Sequence, residues 1–385
     1  MPTVKEKLLE QISKTYPDLV DDKVNDLLSD RLISPFHLSL PKSALSEAEK
    51  IAIKINQLKT SQEYLEKVIP TSTAEQAEYL KLKNLNSSIF SSFDFHLTST
   101  NQLKLIEINT NAAFGALGPF LFKAQGLAPL DENFHQQTLK AMILNEVELF
   151  QSGKKNGLHI AIIDENPENQ RLYIEFLLFK KVFESYGWSC EILNSLELDS
   201  AKISEFDFIY NRTTDFYFEK PAHAPLKKAY LEHSVCISPH PYEYFLLADK
   251  NRMSVFPELQ VLTEIKGNLL QTVKINSENQ AQIWTDRKHL FFKPSNEYGS
   301  KKSFRGATIS RKLFEEIATE NMVAQEFVPA PVAKFAVNAS EVEFKYDLRF
   351  YFYQAEIQFA VARLYQGQVT NAQAENGGFA PVQFI

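Results

Sequence analysis

The chain has 385 residues, a formal net charge of -7 and 44% hydrophobic residues, including 30 Phe and 15 Tyr. That apolar and aromatic content supports a sizeable core and excludes a disordered chain. The acidic balance, with no long basic run, excludes a general nucleic-acid surface while leaving room for a local basic pocket.

The length allows two or three structural units. Cys190 and Cys236 are the only cysteines and lack CxxC spacing. The N-terminal MPTVKEKLLEQISKTYP is charged and amphipathic rather than secretory, and no apolar run approaches the roughly 18–20 residues of a membrane span. The expectation is a soluble cytoplasmic protein with reduced, packed thiols.

In chain order, residues 1–90 read as a helical extension. Leu8, Leu9, Ile12 and Tyr16 share a face, as do Ile51, Ile53, Ile55 and Leu58 less cleanly, with Pro35, Pro41 and Pro70 as punctuation. No catalytic constellation falls here. In residues 91–150 the pattern changes to a hairpin, Phe93 to Thr98 and Leu103 to Asn109, joined by a polar turn. Residues two apart on a strand share a face, so Glu107 and Asn109 point one way, Ile106 and Ile108 the other, and Asp94 can join the acidic side. Two carboxylates and an amide oxygen suit a hard cation such as Mg²⁺ bound together with phosphates; the same pattern also fits an ordinary exposed acidic strand face. The turn Thr110 to Gly118 suits close backbone approach, and a helix from Asn133 to Phe150 ends the unit.

Gly153 to Gly157 reads as a linker. Residues 157–250 alternate strand and helix: Leu158 to Ile163, Asn169 to Tyr186, Ser189 to Leu193, Phe208 to Tyr210 and Val235 to Ser238. This predicts a small parallel, Rossmann-like sheet without the GxGxxG turn of dinucleotide binding. Arg212 follows one strand end, where open α/β sheets bind ligands, and an ion pair with Asp215 is the alternative reading. The unit ends on a helix carrying Lys250. In residues 251–385, the segment Glu264 to Thr285 has no clear pattern. Then Leu290-Phe291-Phe292-Lys293-Pro294 opens into a loop with Gly299, Ser300 and Gly306, followed by a helix from Ile309 to Ala318. A strand lysine and a Gly/Ser loop can serve a polyphosphate, although the GxxxxGK[ST] pattern is absent. Met322 to Val328, Lys345 to Tyr353 and Gln358 to Tyr365 follow as strands, and Gln366 to Val382 as a Gly-rich loop.

The order Lys250, Lys293-Pro294, Gly/Ser loop, Gln325-Glu326-Phe327-Val328, Asp347-Leu348-Arg349, Ala362-Arg363 and Asn371 with Gly377-Gly378 resembles the ATP-grasp superfamily, above all its glutathione synthetase-like members. The family's D…E-x-N metal ligands belong after these elements. Here Asp94, Glu107 and Asn109 precede them, which resembles circularly permuted members of the glutathionylspermidine synthase-like kind. The resemblance covers Ser91 to Ile385. It implies an α/β (α+β) circularly permuted ATP-grasp fold with a Rossmann-like pre-ATP-grasp domain at 157–250, a nucleotide-binding core at 251–385 and a displaced metal-binding part at 91–150, added to the N-terminal helical extension read above at 1–90.

Residue by residue, it implies that Lys250 and Lys293 contact ATP phosphates under a loop from Ser295 to Gly306, including Gly299 and Ser300. Gln325, Glu326, Phe327 and Val328 would form the adenine hinge, with Glu326 reaching the exocyclic amine, and Asp347 would lie near the ribose. Arg349 and Arg363 would act with Lys293 on the γ-phosphate and an acyl-phosphate. Arg212, Asn371, Gly377 and Gly378 would face substrate, Asp94, Glu107 and Asn109 would hold Mg²⁺, and His96 shares Asp94's face. The implied activity is an ATP-dependent carboxylate–amine ligase, releasing ADP and phosphate, on an amino-acid or peptide-like carboxylate and an amine. A phosphotransferase and a non-catalytic nucleotide-binding protein are the competing readings. No Ser-His-Asp or Cys-His pattern is found, in keeping with phosphoryl transfer driven by positioning and charge. No nucleic-acid or membrane partner is expected, and the oligomeric state is not read from the sequence.

Overall fold

A computed structural model of the chain describes residues 2–19, 26–82, 84–151, 157–296, 302–338, 340–368, 370 and 374–385. Gly299, Ser300 and Asn371 lie outside the described residues. The first helix, Val4–Thr15, is set by a capping box: Glu6 N–H donates to Thr3 Oγ1 while Glu6 accepts from Thr3 N–H. It buries Leu8, Leu9 and Ile12. In the helix Lys42–Asn56, Ile51 and Ile55 face the core at helical spacing, whereas Ile53 is 47% exposed.

A seven-stranded sheet dominates the molecule. Its order is Leu38–Leu40, Gly378–Phe384, Glu356–Tyr365, Ser340–Tyr353, Ser91–Leu97 and Leu103–Asn109, with Val332–Val337 beside the start of Ser340–Tyr353. The sheet is thus built from both ends of the chain. Leu38–Leu40 is a strand inside the stretch read as helical, and three residues are too few to carry a period. Gly378–Phe384 replaces the expected loop: Phe379, Ala380 and Val382 are buried, a pattern masked in sequence by the neighbouring Gly-Gly and Pro.

Gly378 makes that strand possible. Its φ is +94° and an added Cβ would lie 2.4 Å from the Leu32 carbonyl oxygen, which also accepts the Phe379 N–H at 2.8 Å. Gly378→Ala is expected to lower unfolding stability by about 1–3 kcal/mol, read from the denaturant midpoint. The Gly377–Gly378 pair therefore serves chain packing, and neither residue lines the cleft described below.

The second sheet has four parallel strands in the order Ser189–Asn194, His159–Asp164, Phe208–Asn211, Cys236–Ser238. The helix Tyr173–Ser185 joins the first two in sequence, starting later than Asn169. The third sheet is antiparallel, in the order Phe304–Arg305, Leu290–Pro294, Met322–Glu326, Thr272–Lys274. Its last strand falls in the segment without a clear sequence pattern. Phe292, Met322, Phe314 and Ile283 give this small sheet its own core, so it forms a cover over the large one.

The helix Leu139–Phe150, preceded by a wider turn at Phe134–Thr138, buries Glu146 completely. Tyr353 Oη, Ser87 N–H and Asn86 Nδ2 donate to its carboxylate, at 2.6, 2.6 and 3.1 Å. Burial nevertheless dominates and pushes its pKa up to about 7 from 4.5. The folded state therefore keeps a proton that the unfolded chain loses, so this contribution is full below the lower value and is lost as pH rises through the upper one. Glu146→Gln, neutral and of the same shape, is expected to flatten the fall in stability between these values, measured by denaturant unfolding across that range.

Candidate active site

The acidic hairpin departs from strict alternation at one place. Ser92, Phe93 and Asp94 pair with Asn109, Ile108 and Glu107, but Phe95 pairs with Leu105, leaving Ile106 as an extra residue. Without this bulge, Leu103 and Leu105 would share the face of Glu107 and Asn109. With it, Leu103, Leu105 and Ile108 are buried while Glu107 and Asn109 face a cleft. Ile106 also lines the cleft rather than pointing to the opposite side.

The cleft, of about 340 Å³, lies between the polar face of the large sheet and the small sheet. Lys293 comes from the small sheet. Its Nζ donates to the carbonyl of the bulged Ile106 at 3.0 Å and to Gln325 Oε1 at 2.8 Å. Burial lowers its pKa to about 8, against the pull of Glu107. Lys250 Nζ lies 3.3 Å from Glu107 Oε1. Lys250 sits in a short tight turn, Lys250–Ser254, rather than within an α-helix, because Asp249 caps that turn by accepting from Asn251 N–H at 3.0 Å. Burial opposes ionisation of Glu107, but Lys250 and Lys293 outweigh it and hold its pKa below the ordinary value.

The arginines come from the centre of the large sheet. Arg349 grips both oxygens of Asp94, through Nε at 2.8 Å and Nη2 at 2.7 Å. Arg363 bridges Asp94 (2.8 Å) and Asp347 (2.7 and 3.0 Å), and Thr370 Oγ1 donates to Asp347 at 2.6 Å. Burial would raise the Asp94 pKa, yet Arg349 and Arg363 hold it at about 2. Asp94 thus faces two guanidinium groups instead of presenting open ligand oxygens. Asn109 Nδ2 points to Asp94 Oδ2 at 3.4 Å, which turns its carbonyl oxygen away.

Beside Lys293, Gln325 donates through Nε2 to Thr272 Oγ1 at 3.2 Å. Glu326 is tied to Gln271, its N–H donating at 2.7 Å and its carboxylate accepting at 3.3 Å, so the side chain is turned to Gln271. Phe327 N–H donates to the His289 carbonyl, and His96 Nδ1 donates to the Val328 carbonyl at 2.9 Å. Burial lowers the His96 pKa, so its neutral ring braces this segment.

Other expected residues lie elsewhere. Ser295 is fully buried and joins Asn251 and Asn321. Arg212 is outside the cleft and donates through Nη1 to Asn111 Oδ1, to the Ala112 carbonyl at 3.1 Å and to Tyr210 Oη at 3.3 Å. Asp215 pairs with His223 at 2.7 Å, so the Arg212–Asp215 ion pair does not form. His223 Nε2 also meets Ser195 Oγ at 3.0 Å, assembling in space a Ser-His-Asp set that sequence spacing does not show. Ser195 and His223 are wholly buried, and Asp215 accepts the Glu219 and Lys220 N–H groups, both at 2.9 Å. The set pins a loop and offers no nucleophile to a substrate. Sequence reasoning also missed Arg305, Lys345 and Thr370 in the cleft wall, since isolated polar residues on short strands or in loops carry no periodic signal.

Chemically, this is a buried, cation-rich cleft with acidic groups along one wall, suited to a polyphosphate. Among the described residues no group of three or more His, Cys, Asp or Glu side chains gathers as a metal site. Glu107 and Asn109 fit a hard cation that takes further oxygens from a phosphate ligand, whereas the Asp94 oxygens are already engaged. No described helix is long and apolar enough to cross a membrane.

No family model and no curated protein matches the chain. Among solved structures it is similar to a glutathione synthetase-like effector from Globodera pallida in its apo form, at 12% identity and a TM-score of 0.53, over 92% of this chain and 90% of that one. It is also similar to a putative γ-glutamylcysteine synthetase from Methylobacillus flagellatus, at 10% identity and a TM-score of 0.47, over 86% of each chain. The first likeness shows a shared fold, a mixed α/β architecture.

Proposed function

We propose that this chain is an ATP-dependent carboxylate–amine ligase that works in the cytoplasm through an acyl-phosphate. The observation that carries the reading is the seating of Lys293 and Lys250 against Ile106 and Glu107, opposite the Arg349–Asp94–Arg363 row. A substrate carboxylate oxygen attacks the γ-phosphorus and ADP leaves; an amine then attacks the acyl carbon and phosphate leaves as the nitrogen loses its proton. Positioning and charge neutralisation dominate such transfers. Lys250 and Lys293 hold the phosphates, Arg349 and Arg363 stabilise charge on the moving phosphoryl group, and Phe327 and Val328 receive the base. Glu107 and Asn109 would hold magnesium, which when bound neutralises phosphate oxygens. Arg212, beyond the cleft lining, and Asn371, outside the described residues, remain the proposed contacts of the carboxylate and amine.

A circular permutation, with the parts 1–90, 91–150, 157–250 and 251–385, is part of the same reading. Its support is that the hairpin Ser91–Asn109 hydrogen-bonds to the late strand Ser340–Tyr353. The test supplies Mg·ATP with pools of amino-acid and peptide carboxylates and of amines. Equal release of ADP and phosphate is expected, with heavy oxygen passing from a labelled carboxylate to the phosphate. A stable phosphorylated product would mean a phosphotransferase, and no turnover with tight Mg·ATP binding a non-catalytic protein.

A further inference from the structure

The cleft lining carries aromatic rings as well as the charges described above. The half-buried rings of Phe291 and Phe327 lie 6.5 Å apart between centroids, inclined by 21°, and Lys293 Nζ lies 5.8 Å from the centre of the Phe291 ring. Arg305 joins these rings from the short strand Phe304–Arg305, in register with Phe291. Its guanidinium carbon lies 4.6 Å from the centre of the Phe327 ring. Among the described residues no carboxylate pairs with it. The adjoining backbone is tightly placed: a Cβ on Gly306 would lie 2.0 Å from the Arg287 carbonyl oxygen. The guanidinium is therefore delivered by a fixed strand end, and a ring holds it in place instead of a counter-ion.

We propose that Arg305 is a base-recognising residue that stacks with the planar ring of a purine nucleotide beside Phe327. This rests on the nucleotide reading of the cleft and adds to it a residue beside the aromatic rings, distinct from the phosphate-handling cations. A guanidinium is planar and weakly hydrated, so it stacks on flat rings while its N–H groups stay directed at ring-edge acceptors. An ammonium has the charge but not the plane. Arg305 is itself exposed, so its removal leaves the core intact.

The experiment measures binding of a slowly hydrolysed Mg·ATP analogue and of inorganic tripolyphosphate to the full chain, by calorimetry, with melting temperature as a control. Arg305→Ala is expected to weaken the nucleotide analogue about 3- to 30-fold and to leave tripolyphosphate unchanged. Arg305→Lys is expected not to restore affinity, and Phe327→Leu to weaken the nucleotide in the same selective way. Equal losses for both ligands would place Arg305 on the phosphates and overturn the inference, as would full rescue by lysine or an unchanged affinity in Arg305→Ala. A wild-type chain that binds neither ligand would overturn the nucleotide reading itself, which the wild-type arm reveals separately.

Discussion

Lys293→Met is expected to reduce ADP release by a factor on the order of a hundred to a thousand while the chain stays folded, the scale seen when one preorganised donor to a developing anion is removed. The side chain lies nearly buried, and its ammonium is the only feature that methionine, of similar length, fails to reproduce. Ile106 and Gln325 lose a donor at 3.0 and 2.8 Å, and leaving such acceptors unpaired costs about 1–3 kcal/mol of stability. Lys293 also sets the charge balance of the wall. Without it, Lys250 and Arg363 remain as the described cations that act on Glu107, and the affinity for a polyphosphate falls with the ammonium. The measurement pairs ADP release with the melting temperature. Turnover at the wild-type rate in a folded Lys293→Met chain would remove this residue from the mechanism, and Glu107→Ala with wild-type turnover would remove the acidic wall as well.

Much of the architecture is legible because it rests on period and punctuation. The alternating hairpin, the apolar run of Leu158 to Ile163 and the Phe291–Phe292–Lys293 strand are all local patterns. What sequence reading loses is long-range or depends on one irregular residue. The bulge at Ile106 decides which side chains enter the cleft, yet nothing in LKLIEIN marks it, since Ile106 is as apolar as its neighbours. The pairing of Asp94 with Arg349 and Arg363 joins positions more than two hundred residues apart, so Asp94 reads as an acid facing a metal when its oxygens face guanidinium groups. Arg212 follows the strand Phe208–Asn211, but its partners come from the Asn111 loop rather than from Asp215 three residues away. The strand Gly378–Phe384 was hidden because Gly and Pro normally argue against one, and here the glycine is what lets the chain pass the Leu32 carbonyl.

Asp94→Asn separates two roles that sequence alone leaves superposed. As a counter-ion, the carboxylate fixes Arg349 through two bonds and Arg363 through a third, all shorter than 3 Å. Asparagine keeps the shape but can accept at one oxygen only, which leaves a buried guanidinium without its charge partner. Breaking one side of such a pair costs about 3–5 kcal/mol, so a clear drop in the denaturant midpoint is expected. Turnover is expected to fall by at least about a hundredfold, since the arginines lose the geometry that charge stabilisation requires. Affinity for the Mg·ATP analogue should hold or increase, because the cleft gains a net positive charge. The magnesium concentration giving half-maximal binding should stay close to the wild-type value, while Glu107→Ala raises it. A direct metal ligand would behave in the opposite way, with nucleotide binding and magnesium dependence weakening together in Asp94→Asn. Titrating magnesium against both variants therefore decides whether Asp94 holds the ion or holds the arginines, and a magnesium requirement that shifts as far in Asp94→Asn as in Glu107→Ala would overturn the counter-ion role.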